Sequence, residues 1–255
     1  MSDAPMIRPA DIAGWPKLVI DYRTREGATA PLLPPGLGAV DDRVQIGVYC
    51  VPVQGEPEYG ISIKVPATWQ GTEGWYTLGL GIDQEAAIFI SGELNGQPKF
   101  PCTIRYWRLG DEVHARATHQ GYTFVTFDGV VTGPVDPAPD ARTEHEWWTK
   151  YSRAIGGAEK SYDFPPHVVD VATTSRETHV EAVDGTLRLL DSPWDPVARL
   201  LPCEELISAR LVHKAVTARE ISDAGTLDPD AFWPHADVIG GSRWPGHRGG
   251  PRPDS

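Results

Sequence analysis

Lys99 is the residue of this chain whose sequence context best suits covalent chemistry with a carbonyl compound. Pro98 and Pro101 restrict the backbone on either side, and Phe100 follows directly. An apolar surround disfavours the ammonium form of a lysine and lowers its pKa from the ordinary value of about 10.4. A neutral amine can attack a ketone and form a Schiff base. The segment therefore predicts a Schiff-base lysine, although it is also compatible with a surface lysine in a turn.

The apolar run at residues 86–90 is expected to supply part of this surround, as a strand buried on both faces. Lowering the pKa of Lys99 by about 3 units would cost roughly 4 kcal/mol. Desolvation by this run and by Phe100 could supply that free energy. Phe100 is also a candidate substrate contact.

Four other residues are candidates for handling a substrate beside Lys99. Glu58 is a candidate general acid/base, with Tyr59 beside it as a substrate contact, although both also fit a solvated acidic turn. Gln97 would project to the same side as Lys99 in an extended segment and could bind a substrate oxygen, or simply fill a turn. Arg105 could pair with a substrate carboxylate or lie on a strand surface.

The string Glu-Leu-Asn-Gly-Gln-Pro-Lys at residues 93–99 resembles the segment that carries the Schiff-base lysine of the acetoacetate decarboxylase family. Other segments agree with that family in order and spacing, and the similarity extends over most of residues 15–240; these segments are residues 19–24, 83–88, 110–122 and 205–210. The resemblance implies an acetoacetate decarboxylase-like fold, a small-molecule keto acid as substrate and a homo-oligomer. The Schiff-base chemistry that the resemblance implies requires no metal or organic cofactor, because the lysine supplies the electrophile.

The chain also departs from that family's pattern. The family has a second lysine directly after the first, and here that position is Phe100. An ungapped alignment puts the family's two glutamates on Gln45 and Gly60, and its arginine near Trp15. Glu58, two residues from one of these positions, could replace a glutamate through a small loop shift. These differences make acetoacetate itself a doubtful substrate.

Scattered Gly and Pro between short apolar runs predict a mostly β protein of the α+β class. We expect a curled antiparallel or mixed sheet, barrel- or cone-like, with a few peripheral helices, forming one domain over residues 1–243 and a flexible tail at 244–255. The predicted strands are residues 18–22, 44–51, 60–65, 75–82, 86–90, 112–118, 122–127 and 204–216, with a meander at 168–172, 178–182 and 186–190. The pattern of residues 204–216 is also compatible with a helix. The remaining predictions are a proline-rich connector at 130–141, a helix at 142–155 and an aspartate-capped helical turn at 228–233.

The composition of the chain argues against several classes of function. A net charge of −12 without a basic block argues against nucleic acid or an anionic membrane surface as partner. No continuous apolar stretch approaches the length of a membrane span. Three widely separated cysteines fit a reducing cytoplasm, and the histidines show no metal-binding motif.

The sequence therefore predicts a lyase that uses Lys99 on a keto acid, with decarboxylation of a 3-keto acid as the leading reaction. An aldolase-dehydratase that uses pyruvate or a related keto acid is the rival, because it proceeds through the same iminium and enamine. A non-catalytic binding module is a third interpretation, in which some of the nine tryptophans line an aromatic pocket. A scaffold subunit that uses the fold only for assembly is a fourth.

Overall fold

A computed structural model describes residues 15–53, 56–157, 160–236, 244–245 and 250. The strands of these residues are β1 (Lys17–Arg23), β2 (Gly38–Ala39), β3 (Arg43–Val53), β4 (Glu56–Trp69), β5 (Thr72–Ile82), β6 (Lys99–Pro101), β7 (Thr103–Leu109), β8 (Glu112–His119), β9 (Tyr122–Val135), β10 (Arg142–Arg153), β11 (Tyr162–Leu189) and β12 (Glu205–Thr226). The helices are α1 (Glu85–Asn95), α2 (Val197–Leu200) and α3 (Pro229–Ala236), with short 3-10 turns at Ala30–Leu32 and Ile155–Gly157.

Seven of these strands close into a ring. Their order is β10-β5-β4-β3-β1-β12-β11, and β11 pairs with β10 to complete the circle. All of the pairings in the ring are antiparallel except that of β10 with β5. A closed ring has no free edge. The ring, with its one parallel pairing, confirms the predicted mostly β fold with a barrel- or cone-like mixed sheet.

A second layer packs against the outside of the ring. It consists of β9, β8 and β7, and it begins where the second half of β11, beyond its pairing with β10, pairs with β9. The main hydrophobic core includes side chains of both layers, such as Ile20 and Ile46 from the ring and Val113 and Phe124 from the second layer. Since side chains alternate along a strand, the other face of each ring strand points inward.

Two predicted elements have the wrong type of secondary structure. Residues 142–155 were expected to form a helix, but strand β10 occupies Arg142–Arg153. The tryptophans and tyrosine that suggested helical spacing are aromatic residues that also favour strands. Residues 86–90 were expected to form a buried strand, but they belong to helix α1, which buries no residue. Phe89 is 68% exposed, and a short apolar run does not distinguish a helix from a strand.

The other differences concern the extent of strands. The connector predicted at 130–141 is partly strand, because β9 continues to Val135. The three strands of the predicted meander are one strand, β11, whose pairing with β12 shifts register three times. The predicted turn at 228–233 is the start of α3, where the Asp228 carboxylate accepts hydrogen bonds from the backbone N–H groups of Asp230 and Ala231.

The tail predicted at 244–255 lies outside the described residues, apart from residues 244, 245 and 250. Trp244 is buried in the main core. Among the helices of the described residues, none is long and apolar enough to cross a membrane.

Candidate active site

The inside of the seven-stranded ring is a cavity of about 1060 Å³. Six of the seven ring strands contribute polar or charged side chains to its wall, β5 contributes Trp75 and Leu80, and Gln97 and Lys99 also line it. Most ligand-binding pockets have volumes of roughly 300–1,000 Å³. The cavity is therefore large enough for a substrate well above the size of acetoacetate.

Lys99 and Glu58 form a buried pair in this cavity. Lys99 starts β6, which pairs in parallel with β5 so that Lys99 lies opposite Leu80. The Lys99 Nζ lies 3.4 Å from Glu58 Oε2, and the two side chains are only 8% and 3% exposed. An amine and a carboxylate this close can exchange a proton. The structure thus brings together the two residues that the sequence suggested for catalysis, which are 41 positions apart in the chain.

Tyr49 holds the other oxygen of Glu58. The Tyr49 hydroxyl donates a hydrogen bond to Glu58 Oε1 over 3.3 Å. Burial, together with the neighbouring Glu58 carboxylate, raises the pKa of Tyr49 well above its ordinary value, so the phenol remains a hydrogen-bond donor. Its ring lies over Gly60, where a Cβ would come within 2.1 Å of Tyr49 Cζ. Glycine at position 60 therefore leaves room for the tyrosine that orients Glu58.

The turn that presents Lys99 is fixed against β10. Helix α1 ends at Asn95, and Gly96 caps it with a left-handed φ of 65°, which suits glycine. A Cβ at this position would lie 2.4 Å from the backbone oxygen of Thr149. Lys150 Nζ also donates a 3.0 Å hydrogen bond to the oxygen of Leu94. This packing sets the position of the lysine relative to the cavity.

The remaining predicted site residues separate into two groups. Gln97 lines the cavity with Lys99. Tyr59 lies on the opposite face of β4 from Glu58 and packs against the main core. Phe100 is buried in that core, and Arg105 is exposed on β7 of the second layer. None of these last three is among the described residues that line the cavity.

Some of the tryptophans line the cavity, and others lie in the core. Trp15, Trp75 and Trp148 line the cavity. Trp69 and Trp147 belong to the main core. The cavity wall is thus aromatic in part, but its other residues are largely polar.

One group of charged residues in the cavity was not predicted from the sequence. Lys64 forms an ion pair with Glu146, which also accepts hydrogen bonds from Thr77 Oγ1 at 2.5 Å and Trp148 Nε1 at 2.7 Å. Burial alone would raise the pKa of Glu146, but the Lys64 ammonium and these hydrogen bonds outweigh burial and lower it to about 2. Polar residues at every second position of β4 and β10 are the signal that could have revealed this group.

Comparison with known proteins agrees with this architecture. Residues 2–226 match the model of the family described as acetoacetate decarboxylase. A comparison with curated protein sequences finds no match. Among solved structures, one of acetoacetate decarboxylase shares 17% identity with a TM-score of 0.75, covering 84% of this chain and 88% of that one. The acetoacetate decarboxylase of Legionella pneumophila shares 16% identity with a TM-score of 0.70, covering 87% of this chain and 94% of that one.

A third structure is the enduracididine biosynthesis enzyme MppR, complexed with the condensation product of pyruvate and imidazole 4-carboxaldehyde. It shares 17% identity with a TM-score of 0.61, covering 81% of this chain and 86% of that one. At these identities the structures establish a common fold. The family match extends over most of the chain, and the protein therefore belongs to the acetoacetate decarboxylase family.

Proposed function

We propose that this protein is an enzyme that forms a Schiff base between Lys99 and the ketone of a keto acid. The observation that carries the proposal is the buried pair of Lys99 and Glu58 at the wall of a large polar cavity. Membership of the acetoacetate decarboxylase family supports the same chemistry. Gln97, which lines the same cavity, is available to bind a substrate oxygen.

Glu58 would serve as the general acid/base of Schiff-base formation. Its carboxylate takes a proton from the Lys99 ammonium, and the neutral amine adds to the carbonyl carbon of the substrate. Glu58 then returns the proton to the hydroxyl of the resulting carbinolamine, which leaves as water. The product is an iminium ion, and the Tyr49 hydroxyl keeps the Glu58 carboxyl oriented throughout.

Decarboxylation of a 3-keto acid is the first candidate reaction. The bond between the α-carbon and the carboxylate carbon breaks, and its electron pair moves through the α-carbon to the iminium nitrogen. Carbon dioxide leaves, and an enamine remains. Protonation of the enamine carbon and hydrolysis then release the ketone product and free Lys99.

Aldol condensation followed by dehydration is the second candidate, and the volume of the cavity favours it. In this reaction the iminium of pyruvate or a related keto acid loses a proton to Glu58, and the enamine attacks an aldehyde. The cavity of about 1060 Å³ has room for both reactants. The related MppR structure holds a condensation product of pyruvate and an aldehyde, which is consistent with this use of the fold.

Trapping with borohydride tests the shared step. The protein is incubated with pyruvate or acetoacetate, reduced and analysed by mass spectrometry and peptide mapping. We expect a permanent mass increase at Lys99, which disappears in Lys99→Ala and persists in Lys160→Ala, a control at an exposed lysine outside the cavity. Glu58→Gln should slow adduct formation by about 10²-fold or more.

The same experiment decides between the remaining interpretations. Absence of an adduct with every keto acid would contradict the proposal and favour a non-catalytic binding module. Release of carbon dioxide from 3-keto acids would identify a decarboxylase. Formation of an unsaturated product from pyruvate and an aldehyde, without carbon dioxide, would identify an aldolase-dehydratase.

A further inference from the structure

The cavity contains a second group of polar residues, at a distance from Lys99. Glu58 and Ser62 are four residues apart on β4 and point into the same cavity. At about 3.3 Å per residue of a strand, their backbones are on the order of 13 Å apart. We define the distal subsite as the group around Ser62, which contains Lys17, Ser62, Lys64, Glu144, Glu146 and Lys214.

Lys17 is the lysine of this group that lacks a partner. Lys64 is paired with Glu146, and Lys214 Nζ lies 2.6 Å from Glu144 Oε2. Within the described part of the chain, the Lys17 amine makes no hydrogen bond or ion pair. With Lys17 protonated, three lysines face two carboxylates, so the distal subsite carries one uncompensated positive charge.

Gly47 provides the space that the Lys17 amine occupies. A Cβ at position 47 would lie 2.5 Å from Lys17 Nζ and 2.9 Å from Ser62 Oγ, so the amine and the hydroxyl share one niche. The Ser62 hydroxyl donates only a long hydrogen bond, of 3.4 Å, to the oxygen of Gly47. It can exchange that bond for a shorter one to an anion in the niche.

We infer that Lys17 and Ser62 bind a carboxylate at the far end of the substrate, so that the preferred substrate is a keto acid with a second, remote carboxylate. This inference rests on the proposed function, since the ketone of the same molecule must reach Lys99. A single carboxylate neutralises the excess charge of the distal subsite. A phosphate group, with a charge of about −1.5 to −2, would leave an excess of negative charge in the distal subsite.

The spacing sets the length of the substrate. The hydrogen bond at Lys17 takes about 3 Å of the distance, and an extended carbon chain spans roughly 1.25 Å per C–C bond. The ketone carbon and the second carboxylate should then be separated by roughly six to eight bonds. In the free protein, burial and then the neighbouring Lys64 ammonium lower the pKa of Lys17 to about 7. A bound carboxylate would favour the protonated amine.

Two ligands that differ only at the far end test the inference. These are 2-oxononanedioate, which ends in a carboxylate, and 2-oxononanoate, which ends in a methyl group. The concentration that gives half-maximal borohydride trapping at Lys99 is measured for both ligands at pH 6.5. In the wild-type protein we expect this concentration to be at least about tenfold lower for the diacid.

For each variant we determine the ratio of the half-maximal concentrations of the two ligands and compare it with the ratio in the wild type. A general loss of site integrity affects both concentrations alike and therefore cancels in the ratio. Lys17→Met removes the charge, and Gly47→Ala fills the niche and displaces the amine. Both variants should reduce the ratio to about threefold or less. Equal concentrations for both ligands in the wild type, or an undiminished preference for the diacid in Lys17→Met, would overturn the inference.

Calorimetry with the Lys99→Ala variant separates this inference from the proposed function. Binding of 2-oxononanedioate to Lys99→Ala cannot involve a Schiff base at position 99. We expect binding that is lost when Lys17→Met is added. If such binding occurs but the wild type is never trapped, the distal subsite stands and the proposed function fails. If Lys99→Ala does not bind the diacid, the distal subsite is refuted.

Discussion

Replacing Lys17 with methionine should stabilise the folded protein, although most substitutions of interior residues destabilise. Burial, followed by the repulsion of Lys64, lowers the pKa of Lys17 from 10.5 to about 7. Between these two pH values the unfolded chain binds a proton that the folded protein has lost, so this group makes stability rise with pH. Methionine keeps most of the length of the side chain and removes the charge. The titratable groups that act on the amine are Lys64, Glu146, Lys214 and Glu144, all of which line the same cavity.

The magnitude follows from these two pKa values. One pKa unit is worth about 1.36 kcal/mol, so keeping Lys17 in the folded protein costs about 5 kcal/mol well below pH 7. The cost is about 4 kcal/mol at pH 7 and about 2 kcal/mol at pH 9. The amine faces a polar cavity of about 1060 Å³, which is large enough to admit water and so to reduce the desolvation of the amine. We therefore expect Lys17→Met to gain about 2–4 kcal/mol at pH 7.

Urea denaturation followed by tryptophan fluorescence measures the effect at pH 7 and pH 9. The free energy of unfolding of Lys17→Met should exceed that of the wild type at pH 7, and the difference should shrink by about half at pH 9. Lys64→Met is the matched control with the opposite sign, because it leaves Glu146 buried without its cation and should cost about 3–5 kcal/mol. A destabilised Lys17→Met at pH 7, or a difference that does not change with pH, would refute the reasoning.

Three further substitutions test other parts of the site. Tyr49→Phe removes the donor to Glu58 and should lower the rate of adduct formation by about tenfold or more, whereas an unchanged rate in stopped-flow trapping would exclude this role. Glu146, with its folded pKa near 2, should contribute about 3 kcal/mol of stability above pH 4.5 that is lost as the pH falls from 4.5 to 2; acid titration of Glu146→Gln should lack this part of the loss. Gly96→Ala places a Cβ against the backbone of Thr149 and should reduce stability by at least about 1–2 kcal/mol, and a melting temperature equal to that of the wild type would contradict this.

The sequence was most informative where a local pattern is sufficient. Alternating apolar residues predicted most of the ring strands, since one face of each strand is buried in the core. Lys99 could be found because prolines and an aromatic residue surround it within three positions. Glu58 could be nominated as an acid/base, but its contact with Lys99 required the pairing of β6 with β5.

The distal subsite could not be predicted, because closure of the ring creates it. Lys17 is close to Glu144 and Lys214 only after β1, β10 and β12 have taken their places in the circle. The alternation of β1 shows that Lys17 and Asp21 share a face, but it does not show that this face is enclosed. The polar face of an antiparallel sheet commonly meets solvent, whereas here it lines an internal cavity.

Residues on the two faces of the ring strands are also subject to different selective pressures. Substituting an outward-facing residue such as Ile20 alters the packing of both layers, whereas substituting an inward-facing residue such as Asp21 changes the surface presented to a ligand. Because the two sets alternate along one strand, new specificities can evolve by exchanging every second residue while the scaffold persists. Descendants of one ancestor could thus come to accept very different molecules inside the same wall.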